Sequence, residues 1–477
     1  MTHTPTTLPV AAPAASAGRG ALTALALCML LSSLGSSVTH AALPALAQAF
    51  GASFQAVQWV TLAYLLAVTT LVVSVGRIGD LYGRRRLLLS GIAFFTLGSV
   101  LCAGAPALWL LIAARGLQGA GAAVMMALSM ALLAAAAPTG RSGQAIGMLG
   151  TVSAAGTALG PSLGGLLIAL LDWRSIFLVN LPLGLLALLL ARRCLPGDPV
   201  RSAQAPFDLP GSALLALTLL ACTLAMTHPR GALGLPALSL LLCALGAASA
   251  FVVVETRARA PLLRLQLFRE RTISSGCAMS ALTTAVAMTT LIVGPFYLTA
   301  ALALAPTTVG VVMSIGPLMA ALMGVPAGHA VDRLGTRRIA IAGLSAMVAG
   351  CVTLATVPVA FGVFGYGVPL ALTTAGYASF QAANQTAVMA GAAPDQRGVV
   401  AGLLNLARNL GLIIGASAIG TVFACASGAV DLAHAPAAAV ASGAHTAFGV
   451  AALLATGALL LALATTRHRS RHARHGS

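Results

Sequence analysis

Long apolar runs alternate with short polar breaks along nearly the whole chain. Most runs approach the ~20 residues that a helix needs to cross a bilayer. Taken in order they predict fourteen helices, at about 21–44, 56–76, 87–105, 107–136, 143–171, 175–193, 209–227, 233–254, 273–300, 307–328, 339–357, 361–391, 398–426 and 445–466. The most ordered break is Gly76-Arg77-Ile78-Gly79-Asp80-Leu81-Tyr82-Gly83-Arg84-Arg85-Arg86. A charge in hydrocarbon costs several kcal/mol, so this stretch is expected to be a tight connection at the membrane surface. The pattern returns at Gly328-His329-Ala330-Val331-Asp332-Arg333-Leu334-Gly335-Thr336-Arg337-Arg338, where Asp332 follows Asp80 by 252 residues and the glycine spacing around the acid is the same.

A carboxylate beside a helix N-terminus and facing arginines makes charge-assisted hydrogen bonds. If its partners sit on an opposite half in one state only, Gly76, Arg77, Asp80, Gly83, Arg84 and Arg85, with Gly328, Asp332, Gly335 and Arg337, form a conformational latch. The plainer reading is an arginine cluster that stops translocation. The repeat runs further: Gly147, Gly156, Gly160 and Gly165 recur as Gly402, Gly411, Gly415 and Gly420, each 255 residues on. That offset exceeds six helices and leaves room for an extra pair, the runs at 209–227 and 233–254. The expected fold is an all-α polytopic membrane protein of two parallel six-helix halves with a central two-helix insertion, fourteen transmembrane helices in all. The expected divisions are a disordered cytoplasmic tail (1–20), an N-terminal half (21–193), a linker with the inserted hairpin (194–272), a C-terminal half (273–466) and a basic cytoplasmic tail (467–477).

Composition agrees with a membrane chain: 59% hydrophobic, 7% charged and a mean hydropathy of +0.97. Soluble domains carry about 25% charged residues. A net charge of +17 would suggest nucleic acid in a soluble protein, but here placement decides otherwise. There is no lysine, and 22 of the 26 arginines fall in the terminal tails and in alternate breaks. Only Arg174 and Arg230 fall on the other side, and Arg115 and Arg408 lie within helices. The excess is a topology signal that puts both termini in the cytoplasm, and the arginine, alanine and glycine bias fits a GC-rich bacterial genome, so a bacterial inner (plasma) membrane is expected. The missing lysine removes the phosphate-binding loop of a nucleotide-driven pump. With no His-Glu-x-x-His, no carboxylate pair in mid-membrane and no soluble output domain, an enzyme or receptor is disfavoured. The eight cysteines stand singly, mostly in apolar runs, and read as small buried hydrophobes, with no metal or cofactor implied.

Four motifs in order resemble one family. The Gly76–Arg86 stretch is similar to the loop between helices 2 and 3 that marks the major facilitator superfamily. Arg115-Gly116-Leu117-Gln118-Gly119-Ala120-Gly121 resembles its helix-4 motif, and Gly156-Thr157-Ala158-Leu159-Gly160-Pro161-Ser162-Leu163-Gly164-Gly165 its helix-5 antiporter motif. Trp173-Arg174-Ser175-Ile176-Phe177-Leu178-Val179-Asn180-Leu181-Pro182-Leu183-Gly184 looks like the helix 5–6 junction of the fourteen-span drug:proton antiporter branch. The resemblance spans Leu22 to Ala464. It implies a secondary active transporter that exports small, mostly apolar drugs or metabolites by alternating access in exchange for protons. The partners implied are a small-molecule substrate, protons and the lipid bilayer, with periplasmic adaptor proteins as an optional addition and no nucleic acid.

Small residues let helix backbones approach closely, and proline weakens the local ladder. Gly156, Gly160, Pro161, Gly164 and Gly165 therefore read as a flexible seam between the halves, and equally as ordinary close packing. Arg115 lies about eight residues from the outer end of its helix. At 1.5 Å of rise per residue that is ~12 Å deep, where an arginine must face a cavity or a partner. The resemblance implies proton handling or substrate contact there, with Gln118 alongside. Arg408, with Asn405 and Asn409, is about ten residues into helix 13 and invites the same reasoning. Trp59, Tyr64, Asn180, Tyr297, Gln381, Asn384 and Gln385 complete a set of cavity candidates, although singly each reads as a helix–helix hydrogen bond or an interfacial anchor.

The departure from the family lies in Leu34-Gly35-Ser36-Ser37-Val38-Thr39-His40-Ala41-Ala42-Leu43-Pro44. Related antiporters carry an aspartate where Gly35 stands, and asparagine in place of His40. All nine acids, Asp80, Asp172, Asp198, Asp208, Glu255, Glu270, Asp332, Asp395 and Asp431, fall in or beside a break. Proton and cation therefore have no buried carboxylate to compete for. His40 is the remaining titratable group of helix 1, and it reads either as the proton carrier or as a packing residue. With Arg115 and Arg408 unpaired, the expected cavity is positive and suits anionic or neutral substrates. The alternative in transport is a proton-independent facilitator or importer of an organic anion.

Overall fold

Away from water every backbone N–H and C=O needs an internal partner, and for single apolar segments the helix supplies it. The structure, a computed structural model, describes residues 19–136, 142–198, 209–227, 235–257, 267, 269–392, 397–428 and 435–475. The expected tail over residues 1–20 therefore lies outside the described residues as far as residue 18. The elements in order are α1 (Arg19–Phe50), α2 (Phe54–Tyr82), α3 (Arg84–Ala103), α4 (Leu108–Ala136), α5 (Ser142–Leu170), the short α6 (Ser175–Leu178) and α7 (Asn180–Cys194). Then come α8 (Leu209–Met226), α9 (Leu235–Arg257), α10 (Arg271–Phe296), α11 (Pro306–Leu334), α12 (Thr336–Thr356), α13 (Gly362–Gly391), α14 (Arg397–Ile414), α15 (Gly420–Ser427) and α16 (Ala437–His475). Among the described residues, twelve helices are long and apolar enough to cross a membrane, and two shorter apolar helices, Ala155–Leu170 and Pro210–Met226, accompany them. The chain is a multi-pass membrane protein.

The structure departs from the sequence reading at several joints. The break at 76–86 is mostly helix: α2 continues through Gly76 and Asp80 to Tyr82, and Gly83 alone separates it from α3. The second copy behaves alike, with Gly335 alone between α11 and α12. Both glycines have positive φ, 96° at Gly83 and 86° at Gly335. That conformation is closed to most side chains, which explains why each copy ends in glycine at the same distance from its acid. The sixth predicted helix is split at Val179, because Pro182 has no N–H to give the Leu178 carbonyl. The run predicted over 398–426 contains a π-helical turn, Gly415–Ile419, between α14 and α15, and a second such turn, Tyr297–Ala301, follows Pro295 at the end of α10.

Two clusters of helices emerge. In the first, α1 lies along α5 and against α4 and α7, while α2 and α3 pack on α4. In the second, α10 packs on α13, α14 and α16, and α12 on α13 and α16, with α11 on α13. Repeat-related glycines do equivalent work in each. A side chain on Gly156 or Gly160 would strike the Leu30 carbonyl or the Val38 backbone nitrogen of α1; one on Gly411 or Gly415 would strike the carbonyls of Ala281 or Ala285 in α10. The clusters meet where α5 faces α11. A Cβ on Gly165 would sit 3.0 Å from Gly310 Cα and inside the radius of the Pro306 carbonyl oxygen, so two backbones touch there. Beside them Ser162 Oγ and Ser314 Oγ are 2.5 Å apart.

The second meeting place is α2 against the π turn. Gln58 Nε2 donates to the Ala416 carbonyl, and Gly420 leaves the space for that side chain. Phe54, Phe296 and Phe423 close an aromatic cluster around it, with ring centroids 5.0 Å from Phe54 to Phe296 and 5.3 Å from Phe54 to Phe423. Both contacts are edge-to-face, the arrangement that ring quadrupoles favour. These contacts all lie at the end remote from Arg84–Arg86, Arg271 and Arg337. The two hydrogen-bonded meetings of the clusters, Ser162 with Ser314 and Gln58 with Ala416, are thus both on that remote side. The first helix of the inserted hairpin, α8, touches both clusters: Ser212 Oγ meets Ser74 Oγ of α2 at 2.8 Å, and Thr421 Oγ1 of α15 donates to the Met226 carbonyl at 2.5 Å.

Backbone strain at the one-residue joint gives a first prediction. Gly335 holds a φ of 86°. Gly335→Ala should lower the apparent melting temperature, since keeping that conformation with a Cβ costs ~1–3 kcal/mol. Gly328 lies in the interior of α11, with nothing within 4 Å of an added methyl. Gly328→Ala should leave the melting temperature level or raise it, through the ~1 kcal/mol helix preference of alanine over glycine. Equal shifts in thermal scans of the two variants would contradict the strained joint.

Candidate functional site

Polar side chains in apolar helices must find partners inside the bundle. In the first cluster they converge on Arg115, which is completely buried. Its Nε donates to the Val60 carbonyl at 2.9 Å, and Nη1 to the Gly35 carbonyl at 3.0 Å and to Gln118 Oε1 at 2.6 Å. The guanidinium carbon lies 4.3 Å from the centre of the Tyr64 ring, so the quadrupole of that ring faces the cation. Gln118 Nε2 donates onward to Ser99 Oγ at 2.7 Å, and Tyr64 O–H to the Ser32 carbonyl at 2.8 Å. Nη2 of Arg115 has no partner among the described residues. A buried cation normally takes a carboxylate. Here main-chain dipoles, an amide and a ring take that place, and one of the main-chain acceptors belongs to Gly35, where related antiporters carry the acid.

A carboxylate at position 35 would itself be crowded. The first side-chain atom would meet the Phe95 ring at 2.9 Å and Gln118 Nε2 at 3.8 Å. His40, further along α1, is also buried; Nδ1 faces the Ser37 carbonyl at 3.3 Å, and Nε2 has no partner among the described residues.

The predicted residues of the second cluster form two sets. Gln381 Nε2 reaches Tyr377 Oη at 3.1 Å and Thr284 Oγ1 at 3.4 Å, and Asn384 Nδ2 donates to the Gly276 carbonyl at 3.0 Å, so α13 is stitched to α10. Gln385 is exposed beside them. On α14 the polar residues share a face: Asn405 and Arg408 are exposed and Asn409 half-buried, while Leu403, Leu404, Leu406 and Ala407 are buried. Arg397 opens α14. Arg408 stands ~16 Å along the helix from it, and a guanidinium at that depth requires water or a partner. α14 packs on α10 and also reaches α2.

Other candidates are placed elsewhere. Tyr297 stacks on Tyr366, centroids 5.7 Å apart, at the remote end, and Trp59 packs half-buried against the same core. Asn180 is fully buried at the α6–α7 joint, its amide without a partner among the described residues. The helix-5 residues Gly156, Gly160 and Gly164 face α1, and Pro161, Ser162 and Gly165 meet α11.

In the latch segment the side chains of Arg77 and Asp80 lie outside the described residues. Arg85 is tied to its own cluster, its guanidinium donating to the Arg192 carbonyl. Asp198 accepts the backbone N–H groups of Arg85 at 2.8 Å and Arg86 at 3.2 Å. It thereby caps α3, a carboxylate at the positive end of a helix. In the second copy Asp332 and Arg337 are exposed and have no ion pair among the described residues. Two contributors escaped sequence reasoning. Gln58 is a lone amide in an apolar run, a signal of the same kind as Gln118; Asp198 sits in a break and gives no sign of a partner 113 residues away.

Known proteins supply the remaining context. The family profile described as Major Facilitator Superfamily matches residues 25–416. The multidrug resistance protein Stp of Mycobacterium tuberculosis (strain CDC 1551 / Oshkosh) is 32% identical over 402 residues, which cover 82% of this chain and 73% of Stp. The riboflavin transporter RibZ of Clostridioides difficile (strain 630) is 30% identical over 399 residues, covering 83% of this chain and 86% of RibZ. A solved structure of the peptide transporter POT superposes on 94% of this chain and 95% of its own, with a TM-score of 0.69 at 16% identity, a likeness of fold. With twelve membrane-length helices in that fold and a family match over most of its length, the chain belongs to the major facilitator superfamily of membrane transporters.

Proposed function

We propose that this chain is a bacterial inner-membrane exporter of small, mostly apolar molecules, anionic or neutral rather than dicationic, working by alternating access in exchange for protons. The observation that carries the reading is Arg115. A fully buried guanidinium is kept at a depth where the sequence puts no carboxylate, and such a costly charge is retained for what it binds or moves. Export is supported by the likeness to multidrug resistance protein Stp.

In this reading the shorter helices Ala155–Leu170 and Pro210–Met226 also cross, giving fourteen spans arranged as six, two and six. The divisions are 21–193, 194–272 and 273–466, with tails at 1–20 and 467–477. Arginine placement puts both termini and the arginine-rich face in the cytoplasm. The α5–α11 and α2–π-turn contacts are then the periplasmic gate, and the polar face of α14 lines an inward-open vestibule. Arg115 and Gln118 hold the central charge, His40 carries the proton through its open Nε2, and Arg408, Asn405 and Asn409 meet the substrate. The two Gly-Asp-Gly-Arg segments act as latches between states, with Asp332 and Arg337 unlatched in this one.

A second reading is a proton-independent facilitator or importer of an organic anion, and the likeness to riboflavin transporter RibZ keeps a transport role other than drug resistance open. One assay separates them. In inside-out vesicles with an acidic interior, anionic or neutral substrates should release protons, and His40→Ala should abolish the release. Release that survives the mutation moves coupling away from His40, and transported compounds that release no protons contradict antiport and leave a facilitator or importer.

Charge selectivity gives a further expectation. Wild type should confer little resistance to dicationic dyes, and strong dication resistance would contradict the positive cavity. Gly35→Asp sets a carboxylate beside Arg115 once Phe95 yields. It should shift preference toward cations by about tenfold, the scale of one partly screened charge pair. An unchanged dye profile in a folded Gly35→Asp protein would argue against Arg115 as the selectivity charge.

A further inference from the structure

A cavity of about 900 Å³ lies wholly within the second helix cluster, between α10, α12, α13 and α16. No described residue of α1–α7 lines it, and it is separate from the seam and from the Arg115 site. Its volume is in the range of ligand pockets. Arg271, in the first turn of α10, and Arg337, in the first turn of α12, stand at its arginine-rich end; both are exposed and neither has an ion pair among the described residues. Among the described residues no carboxylate lines the cavity; Glu270 and Asp332, close by in sequence, are exposed and outside its lining. The walls then become apolar, with Ala340, Ala383, Met279 and Phe380. Met279 is two helical turns beyond Arg271, ~12 Å deeper into the membrane. The surrounding helices face lipid: Leu460, Leu461 and Leu463 of α16 are exposed on either side of the lining residue Ala462.

We propose that this cavity binds an anionic phospholipid from the adjoining leaflet, its phosphate between Arg271 and Arg337 and an acyl chain running inward to Met279 and Phe380. The charge balance selects the headgroup: two guanidinium groups, with no acid among the described lining residues, recognise phosphate oxygens bidentately. Basic pockets between membrane helices are suited to such lipids. The apolar depth and the lipid-facing walls select an acyl chain over a small soluble anion. A lipid held there touches all four helices of the cluster and steadies them against one another.

The test uses the purified full chain in neutral detergent, with bound lipid read by native mass spectrometry and stability by thermal scan. Phosphatidylglycerol should be retained and should raise the melting temperature, while phosphatidylcholine with the same chains is retained severalfold less and glycerol phosphate has no effect. Arg271→Gln with Arg337→Gln should cut phosphatidylglycerol retention by roughly twentyfold, about fivefold for each arginine. The exposed pair Arg333→Gln with Arg338→Gln should not. Ala340→Phe, which fills the cavity and keeps both arginines, should also lower retention and so guards against a charge effect alone. Equal retention of the two lipids, undiminished binding in Arg271→Gln/Arg337→Gln, an equal loss in the control pair, or a response to glycerol phosphate matching that to lipid would each overturn the proposal.

Discussion

Two helix backbones meet without side chains between them where Gly165 of α5 faces Gly310 of α11, and the arrangement of the two clusters depends on that contact. In lipid the hydrophobic effect does not press helices together, so close approach, dispersion and short hydrogen bonds have to do so. The sequence supplies them in a small area: glycines for approach, Pro161 to loosen the ladder, and the Ser162–Ser314 pair at 2.5 Å. The other contact, Gln58 on the π turn beside Gly420, has the same logic with an amide in place of a second glycine. A π turn leaves backbone carbonyls without their usual helical partner, and Gln58 takes one of them. In the proposed reading this is the interface that opens.

The buried charge sits apart from that seam. Arg115 is stabilised by groups that belong to the first cluster alone, Val60, Gly35, Gln118 and Tyr64, so its cost does not depend on which way the clusters are tilted. An acid at position 35 would have cancelled the charge. Glycine leaves it standing and lets Phe95 fill the space. In the proposed reading, charge selectivity and gating belong to separate groups of residues, joined through α1 and the face of α5 that packs on it.

Much of this was legible in the sequence because membrane helices announce themselves by length and their ends by arginine. The Gly-Asp-Gly spacing foretold two equivalent joints, and the structure adds the reason, a positive φ at Gly83 and Gly335. The 255-residue glycine repeat marks positions of which two pairs pack alike, Gly156 and Gly160 on α1 and Gly411 and Gly415 on α10. What escaped was pairing across distance. Whether Gly165 faces α1 or α11, or that Asp198 caps α3, is fixed by tertiary packing and leaves no local pattern. Periodicity also misjudged how far helices run past their charges: the polar ends of α2 and α11 remain helical because the surface, unlike the core, can solvate them.

Disulfide cross-linking of Ser162→Cys with Ser314→Cys, with the exposed Cys194, Cys243 and Cys425 replaced by serine, tests the seam most directly. If the seam must part for each cycle, the oxidised protein should stop transporting while remaining folded, and reduction should restore transport. Full transport with nearly all chains cross-linked would contradict the account.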